Sequence, residues 1–369
     1  MYKNLAATLV AACFLHLAAP AAHSQTTAPP KAARTAASAE PLKIGFLYVA
    51  PLTEAGWVHQ HDEGRKQVEK TLGPQVQTTY VENVAEGPDA ERVIRDLARQ
   101  GHQLIFTPSF GYMEPTLKVA QEFPDVRFES ITGYKTAPNV AAANARYYEG
   151  RYLAGIAAAR MSKSHVAGFP IPEVLQGINA FALGMRSVDP QASVKVVWLN
   201  TWFDPTRERD AAITLMNQGA DVLAFHTASN AVMVAAQERG KLAIAYHSDM
   251  RAIAPDAQVL AVTHQWGAYY TQRAREVLSG TWKSGNVWGG VREGMVAVGY
   301  FGTKVPKSVQ TEVLARQKAI AQGKLHPFKA SADVKDNEGH LVIAKGATLN
   351  DGQILGMDWL VEGVQGKAH

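Results

Sequence analysis

Cysteine is all but absent: Cys13 is the sole one in 369 residues. It sits inside an apolar N-terminal run, so a chain cleaved after that run has neither disulfides nor thiolate metal sites. Charge of one sign is scarce as well. The formal net charge is +4, with Lys and Arg spread along the chain, which leaves no basic stripe for nucleic acid. Catalytic signatures are missing too: no GxxxxGK[ST], GxSxG or HExxH, and no GxGxxG opening a helix. His59, His61 and Asp62 are metal-ligand types, but positions i and i+2 on a helix face different sides. His247, Ser248 and Asp249 are the types of a hydrolase triad, yet neighbours at one strand end cannot line up as nucleophile, base and orienter. Neither a metal nor a cofactor is expected.

Long hydrophobic runs are also lacking. Leu5 to Ala19 is mostly apolar behind Lys3, but it is shorter than the roughly 20 residues of a membrane span, and Pro20 breaks it. Ala22-His23-Ser24 supplies the small residues read before a cleavage site. Residues 1–24 therefore read as a signal peptide and the mature protein as periplasmic. Val10-Ala11-Ala12-Cys13 loosely resembles a lipoprotein box; Cys13 lies in mid-run rather than at its end, so a lipid anchor is the lesser reading. Residues 25–40, rich in Ala, Thr, Ser and Pro, read as a flexible linker.

What is present is alternation. Apolar runs at 44–49, 77–84, 104–109 and 126–132 read as strands, separated by helical patterns at 57–72, 89–100 and 112–123 and followed by one at 147–161. The pattern then restarts, with strands at 165–171, 194–200, 221–226 and 242–247 and helices at 173–185, 207–218 and 230–239. A strand at 259–263, a helix at 267–279, a strand at 294–301 and a hairpin turn at Asp336-Asn337-Glu338-Gly339 follow. Two such series predict an α/β protein of two doubly wound parallel-sheet lobes joined by a multi-strand hinge. Residues 41–162 are the first part of lobe 1, 163–258 lobe 2, and 259–369 the hinge crossing and completion of lobe 1.

Ligands of such folds sit beyond the carboxyl ends of the strands, and the turns expected there are aromatic. They carry Trp57, then Phe110, Tyr112 and Glu114, then Trp202, Phe203 and Asp204. Later strand ends deliver His226, Asp249 and the group His264, Gln265 and Trp266. Flat aromatic faces with a few carboxylates and amides suit a flat heterocycle held at its edge. Taken singly, each aromatic is as readily explained by packing under a loop.

The same residues carry a resemblance. Gly56-Trp57 through Glu63-Gly64, then Ala120–Phe128 (AQEFPDVRF), Glu149–Ala154 (EGRYLA), Phe203-Asp204-Pro205, Gly219-Ala220-Asp221-Val222 and Asp249 occur in an order that resembles the basic membrane protein family. These are the substrate-binding components of ABC importers for purine nucleosides. The resemblance implies the type I periplasmic binding protein fold, an ABC permease as partner, and a purine sandwiched between Trp57 and Phe203. It further implies Glu114 on the purine edge and Asp249 as a ribose ligand. Departures from the family pattern, Val58 for an asparagine, Gln265-Trp266 for a ribose-binding lysine and His226 in a small turn, imply a free base over a nucleoside. They match the subgroup for which adenine is the expected ligand. A monomeric, non-catalytic receptor is the reading; a nucleoside, sugar or autoinducer receptor and a ligand sensor are the alternatives. A nucleoside hydrolase would want more carboxylates than Glu114 and Asp249.

Overall fold

A computed structural model describes residues 40–161 and 170–368, and Glu40–His369 form one compact unit. The leader, most of the linker and most of the strand expected at 165–171 lie outside the described residues. The chain runs β1 (Leu42–Leu47), α1 (Trp57–Leu72), β2 (Val76–Val81), α2 (Pro88–Arg99), β3 (Leu104–Pro108), α3 (Met113–Ala120), β4 (Arg127–Ile131) and β5 (Val140–Ala145). Then come α4 (Tyr147–Met161), α5 (Pro172–Arg186), β6 (Val194–Lys195), α6 (Pro205–Asn217), β7 (Val222–Ala224), α7 (Ala231–Glu238), β8 (Leu242–His247) and β9 (Gln258–His264). The last part is α8 (Gly267–Leu278), β10 (Asn286–Gly289), β11 (Val296–Gly299), α9 (Lys307–Ala321), β12 (Val334–Lys335), β13 (Leu341–Ile343), α10 (Asp351–Leu355) and β14 (Val364–Gln365).

The first sheet has the order β10-β5-β4-β3-β1-β2, and every neighbouring pair is parallel. Its inner strands β1 and β3 are apolar on both sides because both faces are covered. Ile44, Phe46, Leu104 and Phe106 pack with Val58 and Val68 of α1 and Tyr270 of α8. Leu47 and Ile105 point the other way, into Ile94 and Leu97 of α2 and Val119 of α3. In the second sheet, β11-β9-β8-β7, β7, β8 and β9 are parallel and β11 is an antiparallel edge.

Three segments cross between the sheets: β5 into α4, β9 into α8, and β10 into β11. They are tied side by side, Arg146 N–H to the Gly289 carbonyl at 2.7 Å and Gln265 N–H to the Met295 carbonyl at 2.9 Å. Val291 N–H donates to Glu149 Oε2 at 2.7 Å. The division differs from the one expected for residues 259–369. β9 and β11 belong to the second sheet, α9 packs on α4 and β11, and α10 packs on α5. Only α8 and β10 return to the first. Three strands went unforeseen, β5, β10 and the short β14. β5, with the sequence VAAANA, is alanine-rich, and alanine is depleted in strands; it is a strand because it is buried between two others.

Among the described residues no helix is long and apolar enough to cross a membrane. α4 and α5 cross at backbone contact: a Cβ at Gly155 would lie 2.1 Å from the Phe181 carbonyl oxygen, and one at Gly184 2.1 Å from that of Tyr152. Since neither obstacle is a movable side chain, Gly155→Ala should destabilise by about 1–3 kcal/mol, outweighing alanine's helix-propensity gain of roughly 1 kcal/mol. Thermal melting checks this; an unchanged or raised midpoint contradicts it.

Candidate functional site

The carboxyl ends of both sheets face one pocket. From the first sheet come Val49 beyond β1, Trp57 opening α1, Ser109 and Phe110 beyond β3, and Thr132 beyond β4. From the other side come Ile171 and Glu173 at the start of α5, Trp202 ahead of α6, His226 and Ala228 beyond β7, and His247 at the end of β8.

Each wall is fixed locally. Trp57 Nε1 donates to the Pro108 carbonyl at 2.9 Å, so the start of α1 is bound to the end of β3. Ser109 Oγ and the Gly111 N–H both donate to Glu86 Oε1, which holds the Phe110 turn. On the opposite wall Glu208 Oε2 accepts from Thr227 Oγ1 at 2.7 Å and Ser229 Oγ at 2.6 Å, while its Oε1 accepts from Asp204 N–H at 3.1 Å. One buried carboxylate thus organises both loops that present Trp202, His226 and Ala228. Thr132 (φ 67) and His247 (φ 74) lie in the left-handed region, a strained conformation for the β-branched Thr132.

The floor is polar, buried and uncharged in its histidines. His61, His226, His247 and His264 are each at most 7% exposed, and His247 Nδ1 lies 3.2 Å from His264 Nε2. Burial pushes all four below their usual range, His264 to about 3. Three of the rings pack against Trp57, with centroids 4.2 Å away for His61, 4.9 Å for His264 and 5.2 Å for His247, while His226 packs on Tyr246 at 4.9 Å. Arg151 lies deeper, its Nη2 donating to the Phe225 carbonyl at 2.6 Å and its guanidinium 3.3 Å over the Tyr246 ring.

Glu173 is the one acidic residue in the lining. Asn144 Nδ2 donates to its Oε2 at 3.2 Å, and His226 Nε2 stands 3.5 Å from Oε1. Burial raises its carboxyl to about 7, against the smaller lowering effects of Asn144 and Arg151.

The structure brings four of the sequence-predicted residues into the pocket: Trp57, Phe110, Trp202 and His226. Seven are placed elsewhere. Tyr112 is buried in the first sheet's core, its hydroxyl donating to the Val84 carbonyl at 2.6 Å. Glu114 is exposed and paired with Lys135. Phe203 is half-buried outside the lining, because the turn that carries it aims Trp202 inward. Asp204 caps α6 by accepting from Arg207 N–H at 3.0 Å. Asp249 is held by Arg251 at 2.8 Å and Gln258 at 2.9 Å. Gln265 is exposed, with its Nε2 on Thr263 Oγ1, and Trp266 is buried against Tyr270 and His61. The residues that went unrecognised as pocket lining, Glu173 and His247 above all, carried a signal: Glu173 follows Pro172 at a helix start, and His247 ends a strand.

A pocket between two α/β lobes and walled by both is the arrangement of a solute-binding protein. The chain belongs to the PnrA-like substrate-binding proteins of ABC transporters, whose family model matches residues 42–334; proteins of this kind bind rather than transform their substrates and work outside the cytoplasmic membrane. It is 49% identical to a purine-binding protein of Brucella abortus, over 89% of this chain and 94% of that one. It is 35% identical to a Haloferax volcanii protein named as a candidate ABC transporter glucose-binding protein, over 79% of this chain and 75% of that one. A solute-binding protein structure from Aeropyrum pernix superposes with a TM-score of 0.65 at 19% identity, covering 80% of this chain and 93% of that one.

Burying Glu173 has a measurable cost. Its folded-state value lies above the ordinary 4.5, so its contribution to stability is fully present below about pH 4.5 and is lost as pH rises through about 7. Glutamine does not titrate. In the ligand-free protein the melting temperature of Glu173→Gln relative to the parent should therefore climb between these pH values and then level, a gain on the order of 2–3 kcal/mol. A difference that does not vary with pH contradicts it.

Proposed function

We propose that this protein captures a free purine base, adenine-like, in the periplasm and delivers it to an ABC permease. The observation that carries the reading is the pocket itself, aromatic on both sides through Trp57, Phe110 and Trp202, with Glu173, His226 and His247 among its polar lining residues. Aromatic faces stack on any flat base, and the neutral histidine floor suits an uncharged one. The likeness to the Brucella abortus purine-binding protein supports the same class.

Two features favour the base over its nucleoside. Asp249, the family's expected ribose ligand, is engaged by Arg251 and Gln258. The second is bulk: His247 lines the pocket, His264 stands 3.2 Å behind it, Trp266 packs on His264, and all three are buried. A hexose fits poorly for a different reason. Its several hydroxyls each need a partner, at about 1–3 kcal/mol for one left buried and unmatched, whereas the Thr132 hydroxyl already donates to the Ile131 carbonyl and that of Ser109 to Glu86.

Lobe closure is the delivery signal, and Gly56 permits it. Its N–H donates to Ser248 Oγ at 2.8 Å across the cleft, and a Cβ there would lie 2.0 Å from the Ala228 carbonyl oxygen. The closed state, stabilised by contacts made to both walls at once, is the one a permease reads.

Calorimetric titration with adenine, adenosine and glucose tests the reading. Adenine should bind most tightly, and equal or tighter binding of adenosine or glucose overturns it. Trp57→Ala and Trp202→Ala should each weaken adenine binding by about five- to a hundredfold, or about 1–3 kcal/mol, and Phe203→Ala by less than Trp202→Ala. Gly56→Ala should weaken adenine binding by at least about tenfold, while small-angle scattering shows no compaction on adding adenine. Normal compaction and affinity in that variant would remove the closure role from Gly56.

A further inference from the structure

Resting on the purine reading, we propose that Glu173 is the residue that selects the base, reading its hydrogen-bonding edge as a neutral carboxyl that donates one hydrogen bond and accepts another. The placement is specific. Glu173 stands in the first turn of α5, in the pocket wall. It also lines the larger outer cleft, as do Phe110, Thr132 and Ile171, so it stands where the slot between the aromatics opens and a base's edge must point.

The neighbours decide the carboxyl's state. Asn144 on β5 occupies one lone pair of Oε2. His226, beyond β7, is held neutral by burial and at 3.5 Å is too far for a strong bond. His247, at the end of β8, is likewise neutral. Tyr147 on α4 and Tyr246 on β8 both sense Glu173, and burial raises both hydroxyls, which stay protonated. Arg151 on α4 is the positive charge in reach, and it acts through space. Among the described residues no Lys or Arg forms an ion pair with Glu173. A carboxyl mostly removed from water, with a side chain 13% exposed and no Lys or Arg ion pair among the described residues, is favoured in its uncharged form, consistent with its rise to about 7.

The chemistry of the edge follows. A protonated carboxyl offers a donor beside an acceptor, the complement of adenine, which sets a ring nitrogen beside its exocyclic amine. An ionised carboxylate offers only acceptors. It would repel adenine's ring nitrogen and suits guanine, which sets a ring N–H beside its amine. Adenine recognition is therefore tied to one protonation state of one residue.

The test is fluorescence titration of the full-length mature protein with adenine and with guanine, at about pH 6 and about pH 8.5. It uses the parent, Glu173→Gln and Glu173→Ala. Adenine affinity of the parent should fall about tenfold or more over this span, as the neutral carboxyl is depleted, while guanine affinity holds or rises. Glu173→Gln, which has a donor and an acceptor at every pH, should abolish the pH dependence for adenine. Glu173→Ala should weaken adenine binding at about pH 6. A flat adenine profile in the parent, or the same slope in Glu173→Gln, overturns the assignment while leaving the purine reading intact. Failure of the parent to bind either base at both pH values overturns both.

Discussion

Arg151 and Glu173 lie under and beside the same pocket without touching, one over the Tyr246 ring and the other against Asn144. Between and behind them stand neutral histidines and tyrosines, so the polar groups of the floor are removed from water with little formal charge among them. Desolvation is what arranges them so. Each ionised group added to such a floor would need a partner, and burying an unpaired one costs several kcal/mol. The site consequently meets its ligand with ring faces, hydrogen-bond donors and acceptors, and one carboxyl whose charge state is adjustable. That is the chemistry of an uncharged, flat heterocycle.

The crossings make this floor possible. Tyr147, His264 and the stretch from Gly290 to Met295 belong to the three segments that pass between the sheets, and backbone hydrogen bonds bind those segments to one another. Those hydrogen bonds fix the floor independently of the loops that form the walls. The walls meet where Gly56 N–H donates to Ser248 Oγ at 2.8 Å. Glu86 and Glu208 lie outside the lining yet hold three of its loops, which explains how aromatic side chains on turns can be rigid enough to stack.

Much of the architecture was legible in the sequence because it follows from periodicity. α1 and β8 occupy the residues that their apolar patterns and glycine or proline boundaries indicate. β5 was not legible: alanine carries almost no strand signal, and its burial comes from neighbours remote in sequence. The site was legible in kind rather than in residue. Aromatics at strand ends pointed to a flat ligand, and Trp57, Phe110, Trp202 and His226 converge. Adjacent positions on one turn, however, point different ways, so Trp202 rather than Phe203 faces the pocket. Asp249 and Glu114 have the right chemistry but find local partners in Arg251 and Lys135. Glu173 sits on a mostly buried helix, where only the three-dimensional packing reveals that its first turn opens onto a cavity.

The central claim, that a bare purine is stacked between both walls with its edge on Glu173, is most directly tested by a crystal structure of the protein with adenine. The account predicts planar density bounded by Trp57, Phe110 and Trp202, one carboxyl oxygen of Glu173 within hydrogen-bond distance of the base, and no contact to Asp249 or Glu114. Adenine bound with its edge on either of those residues, or lying outside this pocket, would contradict it.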